Sequence, residues 1–252
     1  MRPALFYNPR LLCERLAITV NRRRRLSRLR CTPAANLKLG HLSSLELLEL
    51  FSEHPPSVIY DIGANTGSWT ILAKSVFPKS IVHAFEPYEP HIIQFRNAVG
   101  SLSDVNLHSV ALGAENRSAT LHVTSLSDAS SLLSPTKGNS AELIEVGQIS
   151  AREYRLDDFA AEHNLPWPDL LKLDVQGYEV EALKGARKCL KHAHAIISEV
   201  SFHAFYQGQC LFHDVVATCA HNGFELSALG TDTVLGRRLA QTDALFEKLN
   251  SS

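Results

Sequence analysis

Strand and helix patterns alternate through most of this chain, which predicts an α/β domain with a mostly parallel sheet and helices on both faces. Three observations support that. Apolar runs of strand length recur, and most are followed by a longer run of helical type. A glycine turn, Gly63-Ala64-Asn65-Thr66-Gly67, joins the first such strand to its helix. The last two strands have only a turn between them, so one of them should run antiparallel to the rest.

The elements follow in order. Ser43-Ser44-Leu45-Glu46-Leu47-Leu48-Glu49-Leu50-Phe51 patterns as an amphipathic helix, with Ser43 and Glu46 at capping-box spacing. Pro55-Pro56 ends it. Strands are expected at 57–61, 80–85 and 105–110, with helices at 67–76 and 88–99. A short strand of alternating polarity follows at 119–124. Residues 125–150 are Ser-rich and weakly patterned, which predicts a loop or small insertion. Residues 155–161 read as a helix. Then come strand 169–175, helix 178–190, strand 194–200, helix 212–221 and the final strands 224–229 and 243–247.

The chain has 252 residues, 45% of them hydrophobic, enough for one domain with a sizeable core. A net charge of −1 gives no global field and argues against nucleic acid as a partner. Cys13, Cys31, Cys189, Cys210 and Cys219 form no Cys-x-x-Cys pair, as expected of thiols in a reducing compartment. No apolar run approaches the ~18–20 residues of a membrane span. The N-terminus lacks the pattern of a secretory signal. A soluble, cytoplasmic protein is the expectation.

Charge is uneven along the chain. Residues 1–36 are rich in arginine, including Arg22, Arg23, Arg24, Arg25, Arg28 and Arg30, with only Glu14 opposing them. Leu11, Leu12, Leu16 and Ile18 could add an apolar stripe. This arm either touches an anionic surface, membrane or RNA, or is a solvated, disordered extension outside the fold. Residues 37–252 then form the single domain, with its loop-rich insertion around 125–150.

The glycine turn carries the chemistry. It follows Val58-Ile59-Tyr60-Asp61 and opens a helix, whose N-terminus offers N–H groups to an anion. Glu86 stands at the end of the next strand, where a carboxylate can accept the hydroxyls of a ribose. The spacing is Gly-x-x-x-Gly, with Ala64 and Asn65 where a dinucleotide fingerprint wants its second glycine, which argues against NAD. Gly67 is followed by Ser68-Trp69 and not Lys-Ser/Thr, which argues against ATP. An acid two residues before the first glycine suits a compact nucleoside with a methionine tail, and that ligand is S-adenosylmethionine. Asp61 would meet its ammonium, directly or through water.

The blocks Asp61-Ile62-Gly63-Ala64-Asn65-Thr66-Gly67, Phe85-Glu86-Pro87 and Leu171-Lys172-Leu173-Asp174-Val175-Gln176-Gly177-Tyr178-Glu179 resemble the FkbM-type methyltransferases. Leu183-Lys184-Gly185-Ala186 and Gln241-Thr242-Asp243-Ala244-Leu245-Phe246 continue the resemblance, which spans about residues 40–248. Gln176 departs from it, since the family commonly has Glu there. The resemblance implies a Rossmann-like class I methyltransferase. Its sheet would be mostly parallel and seven-stranded, with one antiparallel strand near the edge. The cofactor would be S-adenosylmethionine, and the acceptor a hydroxyl on a sugar, lipid or natural product. By position, Asp61, Gly63, Ala64, Asn65 and Gly67 would hold the methionine end and Glu86 the ribose. Pro87 would shape the turn, and Ala111 and Leu112 would lie beside the adenine.

Asp174, at the end of the fourth core strand, is the first candidate for a base, for a contact to the cofactor's amino-acid end, or for a helix cap. Glu199 ends the fifth strand and is either an acceptor ligand or the partner of Lys172. His203 follows in a loop among Phe202, Phe205 and Tyr206, as a base or as packing. Ser130-Ser131-Leu132-Leu133 is either a lid or a solvated loop. The histidines show no metal-ligand spacing, so no metal is expected. Two rival functions stand beside the small-molecule or glycan O-methyltransferase. One is an RNA 2′-O-methyltransferase, which Lys172, Asp174, Lys184 and Glu199 loosely echo. The other is a non-catalytic cofactor-binding scaffold, which Gln176 would fit.

Overall fold

The computed structural model describes residues 20, 23–37, 42–126, 128–136, 143–230, 233–235 and 238–249. The apolar stripe expected at residues 11–18 lies outside them.

Five parallel strands form the centre: β1 (Val58–Ile62), β2 (Ile81–Phe85), β3 (Val105–His108), β7 (Leu170–Leu173) and β8 (Ala195–Ser201). Their order is β3-β2-β1-β7-β8. β11 (Arg238–Lys248) runs antiparallel to β8, and its outer edge is shared by β9 (Phe224–Leu229) and β10 (Thr233–Leu235). The sheet therefore has eight strands, one more than expected. The extra strand, β10, is a three-residue segment in the turn before β11, too short to leave a periodic signal.

Alternation along buried strands builds one core on each face. Tyr60 and Ile62 of β1, with Leu171 and Leu173 of β7, join a cluster containing Leu156, Phe159, Leu183, Leu190 and Val215. Ile59 and Leu170 point the other way, into a cluster with Leu45, Leu48, Leu72 and Phe95. Helices α1 (Leu42–Leu48), α2 (Ser68–Val76) and α3 (Glu89–Val99) lie over the second face. Helices α4 (Leu156–Glu162), α5 (Glu179–Lys184), α6 (Arg187–His192) and α7 (Phe212–His221) cover the first.

Three sequence expectations change. The helix expected over 178–190 is two helices broken at Gly185-Ala186. A Cβ at Gly185 would lie 2.0 Å from the Gly113 carbonyl oxygen, so only glycine fits at the break. The buried carboxylate of Asp157 restarts the chain as α6 by accepting from the Lys188 and Cys189 N–H groups. Ser43 does not cap α1, because the helix already includes it; Ser44 instead donates to Asp243 at 2.8 Å. Residues 145–150 belong to strand β6 (Glu145–Tyr154), which pairs antiparallel with β5 (Arg117–Thr124) and parallel with β4 (Ala111–Leu112). The insertion is thus built around a second, three-stranded sheet.

The described part of the basic arm is docked. Residues 23–28 are helical and run into 3-10 turns at Leu29–Cys31 and Pro33–Asn36. Leu29 and Ala34 are buried against the α2 side of the core. Arg25 pairs with Glu46 and Glu49, and Arg28 with Glu49.

Candidate active site

Strand order reverses at β1, where the chain leaves to β2 on one side and to β7 on the other. Ligands of such sheets bind in the crevice beyond the strand ends at this point. A cavity of about 720 Å³ opens there. Its wall takes in the ends of β1, β2, β7, β8 and β11.

The turn after β1 is tied down by its own backbone. Gly63 has φ +80°, and a Cβ there would lie 2.0 Å from the Asp174 carbonyl oxygen, so β1 and β7 meet only through glycine. The Gly63 and Ala64 N–H groups both donate to the Phe85 carbonyl at 3.0 Å. The Asn65 N–H donates to Glu86 Oε2 at 2.9 Å, the Thr66 N–H to Asn65 Oδ1, and the Gly67 N–H to the Ala64 carbonyl. All five N–H groups of the turn are therefore used internally. A pyrophosphate would need those donors; a nucleoside without phosphate does not.

Glu86 accepts from the backbone on both oxygens, the second bond coming from the Tyr88 N–H at 2.9 Å. His91 Nδ1 lies 3.5 Å from Oε1. These bonds fix the carboxylate in the cavity wall and leave each oxygen further lone pairs for hydroxyl donors. Gly63, Ala64, Asn65, Pro87, Ala111 and Leu112 line the same wall. Gly67 does not; with φ +89° it packs under Phe95 and Val99 at the start of α2.

Asp61 is corrected more sharply. It is fully buried behind the turn and does not line the cavity. Alternation turns it to the same face as Ile59, where Thr70 Oγ1 donates to it at 2.6 Å and Lys172 Nζ lies 3.4 Å away. It cannot meet a ligand's ammonium directly. Burial pushes its pKa up, while Lys172 and the Thr70 hydroxyl draw it back.

Past the β1 turn the wall becomes acidic. Asp174 follows β7, Glu199 lies in β8 and Asp243 in β11, paired in register with Glu199. Lys172 lies between Asp61 and Asp174, 3.3 Å from Asp174 Oδ2, and its Nζ also donates to the Gly63 carbonyl. Burial works against its charge, but the carboxylates of Asp174, Asp61 and Asp243 outweigh it and hold its pKa above the ordinary value. Glu199 Oε2 accepts from Gln241 Nε2 at 2.8 Å and from Gln176 Nε2 at 3.1 Å. Burial first, and then the charges of Asp174, Asp243 and Glu179, lift the Glu199 pKa well above the usual carboxylate range. Burial likewise raises that of Asp243, against the hydrogen bond from Ser44.

Two further expectations fail. His203 does not line the cavity. The loop after β8 carries it aside, while Tyr206 of the same loop is buried and donates to the Ala129 carbonyl at 2.5 Å. Glu199 is not the partner of Lys172 in an ion pair; its direct contacts are the two amides. Ser130, Ser131 and Leu132 do line the cavity, and Ser131 Oγ donates to the Gln176 carbonyl at 2.8 Å. Lys184 is exposed on α5 and bonded to Glu181, so it does not join Lys172, Asp174 and Glu199.

Sequence reasoning missed Asn36, Leu37, Ser44, Trp69 and Asp243 as cavity residues. Asp243 was detectable as a charge just before the apolar run Ala244-Leu245-Phe246, on the same face of the strand as Gln241. The contribution of Asn36 and Leu37 depends on how the arm docks, which leaves no local signal.

A family model described as Methyltransferase FkbM domain matches residues 61–226. The 2-O-methyltransferase NoeI of Sinorhizobium fredii is 31% identical over 186 residues, covering 70% of this chain and 74% of that protein. The hexuronic acid methyltransferase AglP of Haloferax volcanii is 24% identical over 144 residues, or 57% and 55% of the two chains. Among solved structures, magnesium protoporphyrin IX methyltransferase (ChlM) from Synechocystis PCC 6803 aligns over 82% of this chain and 77% of its own, with a TM-score of 0.50. At 14% identity that likeness speaks to the fold, which is Rossmann-like. The chain belongs to the FkbM methyltransferase family and is a methyltransferase that uses S-adenosylmethionine.

Proposed function

We propose that this enzyme methylates a hydroxyl oxygen on a small-molecule or glycan acceptor. The observation that carries the reading is the order of groups across the strand ends. Glu86 follows β2, Asp174 follows β7, and Glu199 and Asp243 come next on β8 and β11. Strands lie ~4.8 Å apart, so Glu86 and Asp174 stand about 10 Å apart with the glycine turn between them. One end of the cavity suits a nucleoside, and the other is lined with carboxyl groups. The names of two relatives support a sugar acceptor: NoeI is a 2-O-methyltransferase and AglP a hexuronic acid methyltransferase.

When bound, S-adenosylmethionine supplies an electrophilic methyl group on a sulfonium. Glu86 would hold the ribose hydroxyls, with Ala111 and Leu112 against the base and Ala64 and Asn65 toward the methionine end. Asp174 would accept the acceptor's hydroxyl proton on a carboxylate oxygen, with the Lys172 ammonium 3.3 Å from its Oδ2. Glu199, carrying its own proton, would donate a hydrogen bond to a neighbouring oxygen of the same acceptor. Two carboxyl groups whose surroundings differ can thus serve as acceptor and donor side by side.

The exposed Lys184 leaves the RNA reading without its residue set. No described helix is long and apolar enough to cross a membrane. Cys31, Cys189, Cys210 and Cys219 are free thiols, which supports a cytoplasmic location. The test is release of S-adenosylhomocysteine over a panel of sugars, lipids and phenols. Turnover with a hydroxyl acceptor is expected; cofactor binding without turnover across the panel would favour the scaffold.

A further inference from the structure

We infer that Gln176 is a positioning residue whose amide clamps Asp174 and Glu199 into one unit at the acceptor end of the cavity. The inference rests on the roles proposed above for those two carboxyl groups. Gln176 Nε2 lies 2.8 Å from Asp174 Oδ1 and 3.1 Å from Glu199 Oε2. A primary amide nitrogen carries two hydrogens, so one side chain donates to both groups at once. Rotating the amide by half a turn would aim its oxygen at two carboxyl groups, so the two acceptors themselves fix its orientation. No other residue type of this length brings two neutral donors to one point. Glu at this position would bring an acceptor there, or a single proton.

The backbone holds the amide in place. Gln176 has φ +53° and is followed by Gly177 at φ +93°. The neighbouring Val175 and Gly177 N–H groups both donate to Glu179 Oε1, and the Gln176 carbonyl accepts from Ser131 Oγ. A non-glycine residue in the left-handed region persists only where its surroundings over-determine it. Here a buried glutamate from α5 and a serine from the insertion do so.

The charged surroundings give the clamp its consequence. Lys172 touches Asp174 and not Glu199. Glu179, Asp243 and Tyr206 are the other titratable groups that bear on Glu199, and Asp61 lies behind Lys172. Among the described residues Glu199 has two neutral amides as its direct donors, while Asp174 also has the Lys172 ammonium. Such groups titrate as a pair, and the bridge between them sets how the proton is shared.

The test is a carbon-13 NMR titration of the side-chain carboxyls in the full chain, without cofactor or acceptor. Wild type, Gln176→Leu and Gln176→Glu are compared, and Glu199→Gln assigns the signal. Removing a donor to the ionised form should raise the Glu199 midpoint by about one pH unit in Gln176→Leu. Gln176→Glu, which keeps the side chain's shape, should also raise it by adding a third carboxyl. If Gln176→Leu fails to fold, the isosteric variant carries the test alone. A Glu199 midpoint unmoved in every folded variant would overturn the inference and leave Gln176 a merely structural residue. The titration reads the free protein, so its failure is distinct from failure of the methyl-transfer reading, which the S-adenosylhomocysteine assay decides.

Discussion

The two ends of the cavity are built by different means. At the β1 turn, the five residues Gly63–Gly67 fold on themselves and on the end of β2, and each of their N–H groups is hydrogen-bonded. At the carboxyl end, Asp174, Gln176, Glu199, Gln241 and Asp243 come from three separate stretches of sequence that the sheet aligns, and side-chain hydrogen bonds link their polar groups. The first end is rigid and made for one ligand common to a family. The second can change its acceptor by exchanging side chains without disturbing the turn, which separates binding of the methyl donor from choice of the methyl acceptor.

That separation can be broken at either end. Asp174→Asn should lower turnover by ~10²–10⁴-fold while S-adenosylmethionine affinity stays within a few-fold, as measured by steady-state kinetics and calorimetry. Glu86→Ala should act at the other end, weakening S-adenosylmethionine binding by about 100-fold; it loses hydrogen bonds to a charged group worth ~1.5–3 kcal/mol each. Equal loss of affinity in both variants would show that the two ends are not separate.

Gly63→Ala tests the wedge between β1 and β7. With φ +80° and the Asp174 carbonyl in the path of a Cβ, it should cost about 3 kcal/mol in chemical denaturation. A change below ~1 kcal/mol would mean that the strands can part freely there.

A smaller effect lies away from the site. His83 Nδ1 and His108 Nε2 are 3.0 Å apart, and burial lowers both pKa values, that of His108 to about 4. The folded form therefore binds fewer protons than the unfolded form over this range. Stability should be fully present above about pH 6.5 and fall as pH drops toward 4. His108→Asn should flatten that part of the melting-temperature profile, and an unchanged slope would exclude the pair as its source. Lys184→Ala should have the smallest effect, within ~0.5 kcal/mol in stability and without change in turnover, because the residue is exposed and its partner is Glu181 on the same helix.

The same contrast explains what the sequence disclosed. The alternating core, the glycine turn and Glu86 are local patterns, and the strand ends followed from them. Asp61 misled because its place in the motif suggested a ligand contact, whereas alternation along β1 turns it to the Ile59 face, beside Thr70 and Lys172. Gln176 looked like a sign of lost activity, yet its role depends on Glu199, 23 residues away. His203 stood beside suggestive aromatics, but the loop after β8 aims Tyr206 inward instead. The insertion hid strand β6 because its first half is exposed and shows little apolar alternation.

The most direct measurement is a crystal structure with S-adenosylhomocysteine bound. The ribose hydroxyls are predicted within hydrogen-bond distance of Glu86, the adenine beside Ala111 and Leu112, and the sulfur directed toward Asp174 and Glu199. A ribose placed away from Glu86, or a sulfur facing away from Asp174, would contradict the account.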